Sequence, residues 1–90
     1  MKSLLLSPTA KKDMEALSPK QAAVMAKAIL SLLNEAMPPG AGVLHGTSFY
    51  RIYLGESRIV YDLTDNFVRV LAAGKMNANK VQRVTQQFKK

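Results

Sequence analysis

Arg51 and Arg58 are the residues whose type and spacing bear most directly on chemistry. They flank Gly55-Glu56-Ser57, a turn-forming triplet between two runs rich in aromatic and β-branched residues, Phe49–Leu54 and Arg58–Leu63. Side chains alternate faces along a strand, so a hairpin of these runs puts both arginines on one face. Planar, permanently charged guanidinium groups suit a phosphate and oppose the negative charge that builds as a phosphodiester is cut. The same spacing equally fits a plainer arrangement, ion pairs with Glu56 or Asp62 at the rim of the sheet. His45 is the chain's one histidine, the residue type suited to proton transfer near neutral pH. A lone histidine beside a strand reads either as an active group or, more often, as a structural or merely exposed residue. Glu56, in a turn, and Asp62, in mid-strand, read as surface carboxylates.

Other chemistries lack their residues. There is no cysteine, hence no disulfide framework and no thiolate metal site, and one histidine does not make a zinc site. No nucleophile motif or phosphate-cradling glycine loop occurs, since Gly40 and Gly42 sit in a Pro-Pro loop rather than between a strand and a helix. Neither a metal nor a small-molecule cofactor is expected. Thirteen Lys/Arg against six Asp/Glu give a net charge of +7, which points to a polyanionic partner, nucleic acid or an acidic protein. No acidic residue follows Asp65, whereas basic residues continue to Lys90. The apolar runs fall short of a bilayer span and Leu4-Leu5-Leu6 is too short for a signal peptide, so the expected location is cytosolic, without a membrane partner.

The elements that must position the arginines follow from local patterning. Phe67–Leu71 continues the two runs after a Thr64-Asp65-Asn66 turn, giving a three-strand antiparallel meander. Alternation assigns Tyr50, Ile52, Leu54, Ile59, Tyr61, Leu63, Val68, Val70 and Ala72 to one apolar face. The opposite face receives Arg51, Tyr53, Arg58, Asp62 and Arg69 among Phe49, Val60, Phe67 and Leu71. That second face reads as an open binding surface. Lys2–Leu6 is an expected edge strand. Ser7-Pro8 and Ser18-Pro19 both read as an N-cap with proline at the first helical position, starting helices over about 8–17 and 19–37. Met25, Ile29, Leu32, Leu33 and Ala36 supply the apolar stripe of the second helix, which Pro38-Pro39-Gly40 ends. A last short helix is predicted over 80–90. The expected fold is therefore a single α+β domain spanning residues 1–90. It is a small antiparallel sheet (the meander plus an N-terminal edge strand) packed on an N-terminal helical pair, with a short C-terminal helix.

With these elements in order, the chain resembles the RelE/ParE superfamily of toxins from type II toxin–antitoxin systems. The resemblance runs from Leu6-Ser7-Pro8-Thr9-Ala10-Lys11-Lys12-Asp13 onward. Its most specific segments are Leu44-His45-Gly46, Tyr50-Arg51-Ile52, Arg58-Ile59-Val60-Tyr61 and Val70-Leu71-Ala72-Ala73-Gly74-Lys75. It implies a growth-inhibiting toxin neutralised by a cognate acidic antitoxin, a disordered segment of which folds across the toxin surface. RelE-like members cleave mRNA in the ribosomal A site, with basic residues on the open sheet face and with no metal required, because the ribose 2′-hydroxyl is the nucleophile. By that resemblance Arg51, Arg58 and Lys75 form the catalytic set of an endoribonuclease, with Tyr53, Tyr61 and His45 as helpers. The set is depleted: Tyr53 and Met76 stand where ribonuclease members carry cations, and Gln82 where a tyrosine is common. ParE-like members instead bind and inhibit DNA gyrase without catalysis, and that alternative accompanies the first.

Overall fold

The two Ser-Pro steps start helices, but the two serines do different amounts of work. In the computed structural model, which describes residues 2–88, the first strand β1 (Ser3–Leu6) leads into helix α1 (Pro8–Glu15) and then α2 (Pro19–Ser31). Ser18 Oγ accepts from the Gln21 amide at 3.2 Å in an exposed setting. Ser7 Oγ accepts from the Ala10 amide at 3.0 Å and also donates to the Leu71 carbonyl at 2.7 Å, with the residue 5% exposed. The Ser7 hydroxyl thus caps α1 and fastens it to the sheet.

The remaining elements are β2 (Gly42–Val43), β3 (Tyr50–Leu54), β4 (Ser57–Leu63), β5 (Phe67–Gly74) and α3 (Ala78–Gln87). They confirm the α+β class and the meander. The sheet has five strands in the order β1-β5-β4-β3-β2. It is mixed rather than wholly antiparallel, because β1 pairs in parallel with β5, Leu4 opposite Val68 and Leu6 opposite Val70. A strand of four residues, three of them leucine, carries no signal for direction. Direction is imposed by the helical pair, which must leave the end of β1 and pass across the sheet. The predicted last helix starts at Ala78 rather than Lys80, and Lys89 and Lys90 lie outside the described residues.

One covered face matches the alternation. Ala10, Met25, Ile29 and Leu32 of the helical side pack on Ile59, Tyr61, Val68, Val70 and Ala73. Helix α2 ends at Ser31, short of the expected Met37. Its last amides, Leu32, Leu33 and Asn34, reach back only three residues, and Ser31 Oγ bonds the Ala28 carbonyl at 2.6 Å. Unwinding frees the Ala36 carbonyl, which accepts from the Tyr61 hydroxyl at 2.8 Å. A phenol ring with 0% exposure thereby satisfies its one polar atom.

The other face is not open. Val84 of α3 and Phe88 at its C-terminal end, with Met76 and Leu44, cover Phe49, Val60, Leu71 and Ala72 in a second core. Phe49, Val60 and Leu71 are 3%, 0% and 0% exposed, so they are not available as partner contacts, and of the four apolar residues expected there only Phe67 stays exposed. Ala72 joins this second core rather than the first. The register passes from Val60 opposite Ala72 to Tyr61 opposite Val70, leaving Leu71 as the extra residue of a β-bulge, after which the alternation of β5 is reversed. Helix α3 is pinned at both ends. Asp13 takes the Lys80 ammonium and the Ala73 amide, and the Arg69 guanidinium lies 5.3 Å from the Phe88 ring centroid while bonding Asp62 at 3.1 Å. Asp62 is therefore a buried ion-pair partner, 6% exposed, rather than a surface carboxylate.

Two outcomes follow. Ser7→Ala removes a cap and leaves the buried Leu71 carbonyl without its donor, so it should cost about 2–4 kcal/mol in denaturant unfolding, against about 1 kcal/mol for Ser18→Ala. Burial, with a contribution from Tyr50, raises the Tyr61 phenol above its ordinary value of 10.0. The folded state then holds this proton more tightly than the unfolded chain. That contribution is intact below about pH 10 and is lost as pH rises through the folded value. Tyr61→Phe should cost about 1 kcal/mol at neutral pH and should lose less stability than the parent as pH rises above about 10.

Candidate functional site

Strand β3 places Arg51 and Tyr53 on the α3 side of the sheet, and cross-strand pairing of Tyr53 with Arg58 adds the second guanidinium from β4. Arg51 Cζ lies 4.9 Å and Arg58 Cζ 5.1 Å from the centroid of the Tyr53 ring. A ring of this kind attracts cations through its quadrupole, so it holds together two like charges that would otherwise separate. Tyr53 is 52% exposed, because α3 covers the sheet over Phe49, Val60 and Leu71 and does not reach the hairpin end. The result is a row of cation, aromatic and cation at the uncovered end of the face.

The carboxylates that might neutralise this row are engaged elsewhere. Glu56 bonds Lys75 at 3.0 Å and Asp62 bonds Arg69 at 3.1 Å. Among the described residues, Arg51 and Arg58 make no ion pair. Of the two arrangements their spacing allows, rim ion pairs with Glu56 or Asp62 are absent. Arg51 is further held by Nη1, which donates to the Gly40 carbonyl at 3.1 Å.

The remaining sequence-derived residues are not gathered at the row. Lys75 follows β5, pairs with Glu56, and lines a groove of about 430 Å³ with Leu17, Lys20, Val24 and Met25 on the helical-pair side. Tyr61 lies on the helix-covered face with its hydroxyl spent on Ala36, so it does not join the set. His45 is exposed in the loop between β2 and β3. Just beyond it, Gly46, Thr47, Ser48 and Phe49 face Gln82, Thr85 and Gln86 of α3 across a groove of about 650 Å³. Gln82, one of the departures from the ribonuclease pattern, thus lines a cleft beside Phe49, two residues before Arg51 in the chain. Met76, another departure, is packed against the second core. Neither the cleft nor the role of Gly40 was evident in the sequence. Both depend on where a loop and a helix come to rest against the sheet.

No protein-family model matches the chain, and neither does any curated protein. Solved structures do. An Escherichia coli RelE toxin carrying two arginine-to-alanine substitutions, in its free state, superposes with a TM-score of 0.79 at 22% identity, covering 97% of each chain. The toxin–antitoxin complex RelBE of E. coli gives 0.73 at 21% identity, covering 86% of this chain and 99% of that one. The YoeB dimer of Staphylococcus aureus gives 0.70 at 19%, covering 84% and 98%. At these identities the likeness is one of fold, and the chain has the RelE-like fold.

The site yields its own structural test. Tyr53→Ala removes an exposed ring that buries little, so stability should change by no more than about 0.5 kcal/mol. Without the ring the two guanidinium groups lose their common contact, and the side-chain Nε–H resonances of Arg51 and Arg58 should move toward solvent-exposed values in NMR spectra.

Proposed function

We propose that this chain, built on the fold of the RelE-type toxins, is itself the toxin of a type II toxin–antitoxin pair and cleaves mRNA on the ribosome. The observation that carries this reading is the row of Arg51, Tyr53 and Arg58, two permanent cations without an ion pair among the described residues, at an uncovered end of the sheet face. In the reaction the ribose 2′-hydroxyl attacks the adjacent phosphorus while the bond to the 5′ oxygen breaks. The products are a 2′,3′-cyclic phosphate and a 5′-hydroxyl. Negative charge grows on the phosphoryl oxygens at the five-coordinate stage, where fixed guanidinium groups contribute most. Arginine stays protonated throughout, so Arg51 and Arg58 bind and stabilise but do not carry protons. Of the three proposed helpers, Tyr53 is the one within the row, while His45 stands at the mouth of the neighbouring cleft. With Lys75 paired to Glu56 and Met76 turned into a core, the set is depleted, and a slower catalyst than a fully equipped relative is expected.

A neutralising partner would be acidic, given the net charge of +7, and a similar structure being a toxin–antitoxin complex supports an antitoxin here. Because three of the four apolar residues on the sheet face are covered by α3, that partner would meet α3 and the strand edges rather than bare sheet. The proposed site of action is the cytosol. Among the described residues no helix is long and apolar enough to cross a membrane. Nothing in the site favours gyrase inhibition, and the similar structures named above are RelE and YoeB proteins, so that alternative is set aside.

Induction of the chain followed by sequencing of mRNA 5′ ends, or toeprinting on programmed ribosomes, tests the proposal. Arg51→Ala and Arg58→Ala should each slow cleavage about 30- to 1,000-fold, a loss of about 2–4 kcal/mol of transition-state stabilisation. Their melting temperatures should stay near the parent's, since neither residue lies in a core. Lys75→Ala should cost less than about fivefold, because an exposed ion pair is worth about 0–1 kcal/mol. Intact mRNA after induction of the parent chain would overturn the reading.

A further inference from the structure

Gly42 faces Arg51 directly in the pairing of β2 with β3, and the place of its missing side chain is taken by the arginine head. A Cβ built on Gly42 would lie 3.1 Å from Nη1, 3.1 Å from Nη2 and 3.2 Å from Cζ of Arg51, tight enough that the arginine head must give by a few tenths of an ångström. The backbone at Gly42 is not in the left-handed region, unlike that at Gly40, Gly46, Gly55 and Gly74, so glycine is not required there for its conformation. We propose that Gly42 is a positioning residue: its bare Cα is the seat on which the Arg51 guanidinium rests, and the Pro38–Gly42 loop holds Arg51 ready for an RNA phosphate. The inference rests on the reading of Arg51 as a phosphate-binding residue.

Three contacts from different directions make the seat. Gly42 supports the face of the fork. Gly40, whose φ of +91° only glycine adopts readily, turns its carbonyl to accept from Nη1 at 3.1 Å. The Tyr53 ring lies 4.9 Å away. A long side chain with several rotatable bonds is thereby immobilised before any ligand arrives, and one nitrogen is spent on the loop while the others stay available to a phosphate oxygen. A methyl group at position 42 meets only the far end of a flexible side chain. The arginine head, rather than the fold, is what gives way.

The test combines a spectroscopic and a kinetic readout on the full chain. In Gly42→Ala the Arg51 Nε–H resonance should shift and broaden in NMR spectra while the amide spectrum of the cores is retained, and mRNA cleavage on programmed ribosomes should slow about tenfold or more. Arg51→Lys keeps the charge but has no planar fork to rest on the seat, so adding Gly42→Ala to it should slow cleavage by less than about twofold. Adding Gly42→Ala to Arg58→Ala should still cost the full factor. An unchanged Arg51 resonance, a parent-like rate in Gly42→Ala, or an equal further loss in the Arg51→Lys background would each overturn the positioning role. If Gly42→Ala melts well below the parent, the steric argument fails as well. A parent-like rate in Arg51→Ala would instead overturn the phosphate-binding reading itself, and the positioning role with it.

Discussion

Strand β4 is hydrogen-bonded on both edges and buried on both faces, and that double burial is the constraint from which the rest of the molecule follows. Ile59, Val60 and Tyr61 are each 0% exposed. Ile59 and Tyr61 meet the helical side and Val60 meets α3, so a small chain must supply covers for two faces of one sheet. The helical pair provides one cover. The other is a helix of ten residues, about 15 Å long, and it reaches only part of its face. The sheet stays uncovered where that helix stops, at the hairpin joining β3 and β4, where Arg51, Tyr53 and Arg58 lie.

Two covers on one sheet require that β5 serve both, and the bulge at Leu71 is how it does so. The extra residue places Leu71 and Ala72 together in the second core and returns Ala73 to the first. A bulge disrupts the ladder locally. The Leu71 carbonyl is met by the Ser7 hydroxyl, which fixes the start of α1 against the irregularity. Helix placement and strand irregularity are therefore one feature.

Charge is divided along the same lines. Asp13 and Asp62 hold Lys80 and Arg69 at the two ends of α3, where partial burial makes pairing worthwhile, and Glu56 takes Lys75 at the surface. At the hairpin, Arg51 and Arg58 are partnered by an aromatic ring, and Arg51 also by a backbone carbonyl, instead of a carboxylate. A cation that leans on a ring keeps its charge available to an incoming anion, whereas one paired to a carboxylate does not.

The local signals were legible in the chain itself. The meander, both Ser-Pro caps, the core face carrying Ile59 and Tyr61, and the same-face placement of Arg51 and Arg58 all follow from turn chemistry, capping and alternation, which act over a few residues. Tertiary structure decided what those signals leave open. The direction of β1 depends on the path of the helical pair, and a bulge of one residue moved Ala72 between cores without any mark in its neighbours. Burial of Phe49, Val60 and Leu71 waited on α3, whose docking is a contact between segments far apart in the chain. Ser7 and Ser18 carry the same sequence signal. Only folding gave Ser7 a second partner, 64 residues away, because a hydroxyl's donor is free to serve whatever carbonyl the packing brings to it.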